Sequence, residues 1–203
     1  MRVVVVGCEY TGVTTLIDGV YEWGNARGIY HHLDDHFTIP DAFHLSREEQ
    51  RAMLEMLPAI KERFQRFQIV YHVRLLHLFE HILVGGFHIE EMVYGPKYYY
   101  PGINIDVREY EPEMPDDTIL VHLTATADVV RRRMQSDPHT HQLVPSEDVT
   151  EILERFEEEV RHSWIKHKMK IDSSHLTPEK LVSAFLEASK PHLNTRDMLT
   201  RMA

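Results

Sequence analysis

Residues 2–6, Arg2-Val3-Val4-Val5-Val6, are a β-branched run that stops at Gly7. A short run without apolar–polar alternation reads as a strand buried on both faces, the pattern of a parallel sheet. From Thr14 to about Ala26 the period changes. Leu16, Ile17, Val20, Tyr21 and Trp23 then line one side of a helix. A parallel strand cannot return by a tight hairpin, so it needs a crossover, usually helical, before the next strand. The first 26 residues therefore call for strands and helices in alternation.

The rest of the chain supplies them. A second strand is expected near Ile29–Leu33, followed by Asp34, Asp35 and a polar loop. Ser46 with Glu49 forms a capping box that opens a helix. A long helical pattern runs from about Ala59 to Leu83, with Ile60, Phe64, Phe67, Tyr71, Leu75, Leu78 and Ile82 at spacings of three and four. That stripe is core or dimer surface. Gly85-Gly86 ends it, and "FHIEEMVYG" reads as a third strand with its exit loop. Residues 95–117 read as loop, "TILVHLTA" as a fourth strand, and "TADVVRRRM" as the start of a helix. "SEDVTEILERFEEEVRHSWIKHK" reads as a charged amphipathic helix, "MKIDSS" as a fifth strand, and the segment after Thr177 as a closing helix with Pro178 in its first turn. The expected architecture is α/β: a parallel five-stranded sheet with helices on both faces, in one domain over residues 1–193. Residues 194–203 are a polar tail, read as disordered. Ligands of such sheets bind beyond the carboxyl ends of the strands.

Composition removes several classes of function. No run approaches 18 apolar residues, so no membrane partner is expected. The amino terminus shows no leader pattern, and the single cysteine, Cys8, excludes an internal disulfide. Both point to the cytoplasm. A net charge of −10 disfavours extended nucleic acid, whose partners carry a basic stripe.

The loop after the first strand carries the chemistry. "GCEYTGVTT" has the outline GxxxxGK[ST], in which backbone N–H groups and a helix N-terminus cradle phosphates. Gly7 and Gly12 hold the glycine positions. Tyr10, Thr11, Gly12, Val13, Thr14 and Thr15 would supply the cradle, and Thr14 the hydroxyl for Mg. Val13 replaces the lysine. It keeps a backbone N–H but brings no charge to a transferred phosphoryl group. The plain alternative is a tight strand-to-helix turn.

Carboxylates occur where the other strands should end. Asp34 or Asp35 could orient an acceptor hydroxyl and take its proton; a solvated turn is the alternative. Glu90 or Glu91 could hold Mg or act as base, with only one of the two facing the site. His31, His32 and His36 flank the aspartates. Asp137, His139 and His141 read as a polar loop rather than a metal site, and Lys166, Lys168 and Lys170 as solvated. Lys97 with Tyr98, Tyr99 and Tyr100 could wall an acceptor pocket or pack a loop.

Together these residues resemble the P-loop nucleoside and nucleotide kinase superfamily, with a degenerate Walker A loop lacking the lysine. "LDDHFTIP" is similar to the "DDF…P" segment of nicotinamide riboside and uridine kinases, and "FHIEEMVYGPKYYYPG" to the "DRY…S…Y" segment of thymidylate and deoxynucleoside kinases. In the latter, Glu90 matches the acid and Glu91 stands where arginine belongs. "VHLTATADVVRRRMQ" is similar to the strand and arginine-bearing lid helix of these kinases. The resemblance implies a three-layer P-loop kinase-like fold with a lid over about residues 131–150. It implies ATP and Mg as cofactors and phosphoryl transfer to a small-molecule or nucleotide substrate. Asp35, Asp34, Arg131 and Arg132 would be catalytic, with Arg133 a further lid candidate, and Thr14 and Glu90 would hold the metal. A homodimer is possible. The competing expectation is a nucleotide-binding or scaffold protein that keeps the fold without catalysis.

Overall fold

The computed structural model describes residues 1–35, 44–193 and 195–202. Five strands, β1 (Arg2–Val6), β2 (His32–Asp35), β3 (Ile82–Gly85), β4 (Thr118–Thr124) and β5 (His167–Asp172), form one sheet in the order β2-β3-β1-β4-β5. Every neighbouring pair is parallel. Around them run α1 (Val13–Asn25), α2 (Arg47–Leu54), α3 (Pro58–Leu78), α4 (His88–Tyr94), α5 (Ala127–Ser136), α6 (Val149–His162), α7 (Pro178–Ser189) and α8 (Thr195–Met202).

The valine run is explained by two cores. Val3 and Val5 pack with Leu83, Ile119 and Val121 against Leu16 and Val20 of α1 and Leu181 and Phe185 of α7. Val4 and Val6 pack on the opposite face with Val84 and Leu120, against Leu76 of α3, Ile89 of α4 and Phe156 of α6. Successive strand residues point to opposite faces. A strand covered on both therefore needs an apolar residue at every position. This is the expected three-layer α/β arrangement.

Several expected boundaries are corrected. The third strand is not "FHIEEMVYG" but the four residues Ile82–Gly85. His88–Tyr94 is helical. Gly86 and Phe87, at φ 70° and 79°, turn the chain between them. The helix expected to reach Leu83 ends at Leu78, because the three–four spacing continues by coincidence into the strand. Asp34 and Asp35 are the last residues of β2 rather than a loop after it. The charged helix stops at His162, and β5 begins two residues before "MKIDSS". The segment after residue 194, read as disordered, forms α8, and its Asp197 is buried. The capping box at Ser46 and the proline in the first turn of α7 are as expected. His36 and the rest of the polar loop through residue 43 lie outside the described residues.

The sheet order places β1 at the centre. The chain leaves β1 toward β2 and β3 on one side and reaches β4 and β5 on the other. In open α/β sheets such a reversal is where ligands bind, outside the carboxyl ends of the strands.

Candidate functional site

Gly7 ends β1, and no larger residue fits there. A Cβ would lie 2.5 Å from the Leu123 carbonyl oxygen and 2.6 Å from Thr11 Oγ1. The loop closes on itself as the Thr11 N–H and hydroxyl both donate to the Cys8 carbonyl, at 3.0 and 2.7 Å. Tyr10 and Gly12 take positive φ, 66° and 100°. The first helical bond of α1 runs from Leu16 N–H to Gly12 O, with no side chain capping the helix. The N–H groups of Val13, Thr14 and Thr15 thus head α1 without an intrahelical acceptor. The Thr14 and Thr15 side chains are exposed, and Val13 is half-buried beside the α1–α7 core. This is a backbone nest on a helix N-terminus, able to receive an anion. Cys8 is buried under it, and desolvation pushes its thiol up to about 12.

Two loop side chains grip the segment after α5. Glu9 accepts hydrogen bonds from the N–H groups of Leu143, at 3.0 and 3.2 Å, and Val144, at 2.8 Å. Burial raises the Glu9 pKa, and those two N–H groups oppose the rise. The Tyr10 ring stacks on His139 at 4.0 Å, and its hydroxyl accepts from His139 N–H at 2.8 Å. The "HTH" stretch is thus latched to the loop, with His141 Nε2 3.0 Å from Gln50 Oε1.

Of the three adjacent arginines of α5, Arg133 is the one on the loop. It donates to Tyr10 O at 2.7 Å, Ser173 Oγ at 3.1 Å and Ser173 O at 2.8 Å, while the Ser173 hydroxyl donates to Thr11 O at 2.7 Å. Desolvation lowers its pKa. Arg131 donates instead to Ser146 O and Thr150 Oγ1. Arg132 is exposed, with a 3.4 Å bond to Asp128 O. Lys97 is paired with Asp148 at 3.0 Å and Glu151 at 2.7 Å.

Across the sheet edge, Asp34 pairs in register with Val84, and Asp35 with Gly85, itself opposite Val5. With β3 between, the aspartates lie two strand spacings, roughly 10 Å, from the line of β1. Asp34 Oδ1 is 3.0 Å from Nε2 of His72, a fully buried residue of α3. Asp34 Oδ2 is 3.6 Å from His32 Nε2. A carboxylate only accepts, so Nε2 of His72 carries the proton in this pair. His72 Nδ1 is buried without a hydrogen bond. His31 turns away to meet His81 ring-to-edge, and burial pushes its pKa down to about 4.

Phe87 stands between His72 and His88, edge-on to both. His88 Nε2 is 2.7 Å from Glu111 Oε1, both side chains fully buried, and Glu111 also accepts the Trp164 N–H. Burial alone would raise the Glu111 carboxyl; the bonds from His88 and Trp164 outweigh it and hold the pKa low. Glu90 and Glu91 lie in the first turn of α4, not at a strand end. Glu91 is buried and accepts the Tyr100 hydroxyl, whose pKa rises through burial and that carboxylate. Among the described residues, no three His, Cys, Asp or Glu side chains are grouped to hold a metal ion unaided.

Sequence reasoning missed Glu9, Ser173 and His72. The first two bond to backbone, which leaves no pattern. His72 had a signal: Glu62, Gln65, Gln68 and His72 recur every three or four residues in α3, and all are buried.

Neither a protein-family model nor a curated protein sequence matches the chain. Solved structures do. The YorR protein of Bacillus subtilis, in complex with phosphorylated GDP, superposes with TM-score 0.61 at 13% identity, covering 96% of this chain and 99% of that one. Deoxyadenosine kinase from M. mycoides with bound dATP gives 0.60 at 14% identity, covering 92% and 98%. Shikimate kinase from Bacteroides thetaiotaomicron gives 0.55 at 14%, covering 94% and 97%. The chain has a P-loop kinase-like fold. At these identities the likeness establishes the fold alone. No described helix is long and apolar enough to cross a membrane.

Proposed function

We propose that the chain is an ATP-dependent phosphotransferase acting on a hydroxyl or phosphate of a small metabolite or nucleotide in the cytoplasm. One juxtaposition carries the reading. The uncapped N-terminus of α1 and the Asp34–His72 pair sit on one sheet edge, separated only by β3. The backbone of Gly7 and Tyr10–Thr15 would hold the donor phosphates. Thr14 and Glu90 would hold Mg, which when bound neutralises charge on the phosphates. Asp34 or Asp35 would orient the acceptor hydroxyl and take its proton, and His72 would fix the Asp34 carboxylate. Arg131 and Arg132 would have to leave their present partners to reach the transferred group. Arg133 already places a cation against the loop and stands nearest the role of the absent lysine.

A second reading is nucleotide binding without transfer. It is favoured by one observation: Val13 brings no charge, and Lys97, Arg131 and Arg133 are all engaged with protein oxygens. Isothermal titration with Mg-ATP and a turnover assay over nucleosides, nucleotides and sugars separate the two. A phosphotransferase binds Mg-ATP, turns over at least one acceptor, and loses roughly 100-fold or more in kcat on replacement of its base, here Asp34→Asn or Asp35→Asn. Turnover only after Val13→Lys assigns the natural chain to binding. No binding by either form at millimolar nucleotide removes both readings.

A further inference from the structure

The amino end of the sheet, opposite the nest, brings two imidazoles together. His167 opens β5 and pairs in register with Ile119 of β4. His192 closes the short 3₁₀ turn Lys190–His192 that follows α7. Their Nδ1 atoms are 3.2 Å apart, although the two residues are 25 positions apart in the chain. The ring planes cross at 61°, with centroids 5.2 Å apart, so the rings do not stack. Backbone structure holds both. The sheet fixes His167. His192 is held by the next residue, Leu193, which packs on the α1–α7 core and donates its N–H to Lys190 O.

We propose that His167 and His192 form a zinc-binding site, with both Nδ1 atoms as ligands and water completing the shell. The first argument is separation. Zinc takes imidazole nitrogen at about 2.0–2.1 Å in tetrahedral geometry, which sets two such nitrogens about 3.3–3.4 Å apart. The pair already stands within about 0.2 Å of that separation, with neither backbone displaced.

The second argument is the chemistry of the rings. A direct N–H···N bond between them needs opposite tautomers, one Nδ1 donating and the other accepting. When both rings carry the proton on Nε2, two lone pairs face each other, and a shared cation satisfies both. Desolvation, and after it the charge of His167, lowers the His192 pKa, which favours the neutral ring that ligates a metal.

The third argument is the surroundings. Both rings are half-buried, so an ion can reach them and keep part of its water. Asp116, in the turn before β4, interacts electrostatically with His167 and adds a negative charge nearby. The adjacent cations are offset, Lys166 by Asp116 and Lys190 by Glu187. A bound ion would staple the edge strand β5 to the chain that leads into α8. The proposal stands apart from the phosphotransfer reading. Five steps along β5 at about 3.3 Å each put the pair roughly 17 Å from the carboxyl end of that strand. Magnesium prefers oxygen ligands and does not compete for two imidazoles.

Isothermal titration of the metal-free full chain with zinc tests it. One ion per chain is expected. His192→Ala and His167→Ala should each weaken binding by roughly 10–100-fold, at least the loss that follows removal of an outer-shell partner. His175→Ala removes an exposed histidine beyond the other end of β5 and should bind as the wild type does. Zinc at about ten times its Kd should raise the unfolding midpoint of the wild type by roughly 3–6 °C, and that of His192→Ala hardly at all. Ligation is read directly by NMR, where zinc should shift the ring C–H signals of His167 and His192 before those of the other histidines. Absence of binding at millimolar zinc leaves the contact as a hydrogen bond between rings and overturns the proposal. Binding that His192→Ala does not weaken, or ring shifts that begin at other histidines, places the ion elsewhere and also overturns it.

Discussion

The two ends of the candidate site are held by different physics. At the proposed donor end, the loop and the segment after α5 meet through bonds between side chains and backbone: Glu9 to Leu143 and Val144, Tyr10 to His139, Arg133 to Tyr10. At the proposed acceptor end, the frame is made of imidazole–carboxylate pairs, His88–Glu111 and His72–Asp34, whose histidines are fully buried. A part-exposed hydrogen bond contributes on the order of 1 kcal/mol net. Removing one member of a buried pair leaves an unpaired charge and costs about 3–5 kcal/mol. The donor end can open at modest cost, and the acceptor end is fixed.

The sharpest way to break that contrast is His88→Leu. It leaves the Glu111 carboxylate with only the Trp164 N–H and the Ser163 hydroxyl and is expected to lower unfolding stability by roughly 3 kcal/mol, measured by urea denaturation at pH 7. A loss below about 1 kcal/mol would show that the pair behaves like a surface contact.

Acid provides the next test. His122 on β4 is buried, with its nearest carboxylate, Glu157, 3.7 Å away and Lys170 also nearby. Burial is the main cause that pushes its pKa down to about 4 from 6.5. The folded chain therefore resists a proton that the unfolded chain accepts. The stability tied to His122 is complete above pH 6.5 and is lost as pH falls toward 4. One such histidine accounts for roughly 2 kcal/mol between pH 7 and pH 5. His122→Phe should flatten that part of the stability–pH curve, and an unchanged slope would place the acid sensitivity elsewhere, with His31 the next candidate.

The smallest effect belongs to the latch. Glu9→Ala should loosen Leu143 and Val144 by about 1 kcal/mol, seen as roughly five- to tenfold faster amide exchange at those two residues. Global stability should change little. Glu9→Gln keeps an acceptor oxygen and should restore most of the protection. If protection falls across the whole chain instead, the latch is part of the core frame and the contrast between the two ends fails.

How much was legible in the sequence follows the same division. β1, its loop, β4 and the cap of α2 were readable because their signals are local: a valine run, spaced glycines, a Ser–Glu capping pair. β3 was not, since Ile82–Gly85 is too short to declare a strand and its neighbours imitate a helix on one side and a strand on the other. The outer stripe of α3 was visible as periodicity, yet periodicity does not say which face looks inward. His72 decides that, through a bond to a residue 38 positions away. Glu91, which the resemblance sets where a substrate-binding arginine belongs, is buried against Tyr100, a contact that no local pattern announces.

Ser173 has a consequence for motion. Its N–H donates to Thr124 O at the end of β4, its hydroxyl to Thr11 O, and its two oxygens receive Arg133. The nest, the sheet and helix α5 are thereby tied at one residue and must translate together. A lid that opens cannot pivot at the foot of α5. Its hinge falls beyond Ser136, in residues 137–148, where Pro138 and Pro145 bracket the latched stretch. The arginine helix is thereby a rigid strut beside the nest, and any opening would be confined to the dozen residues that follow it.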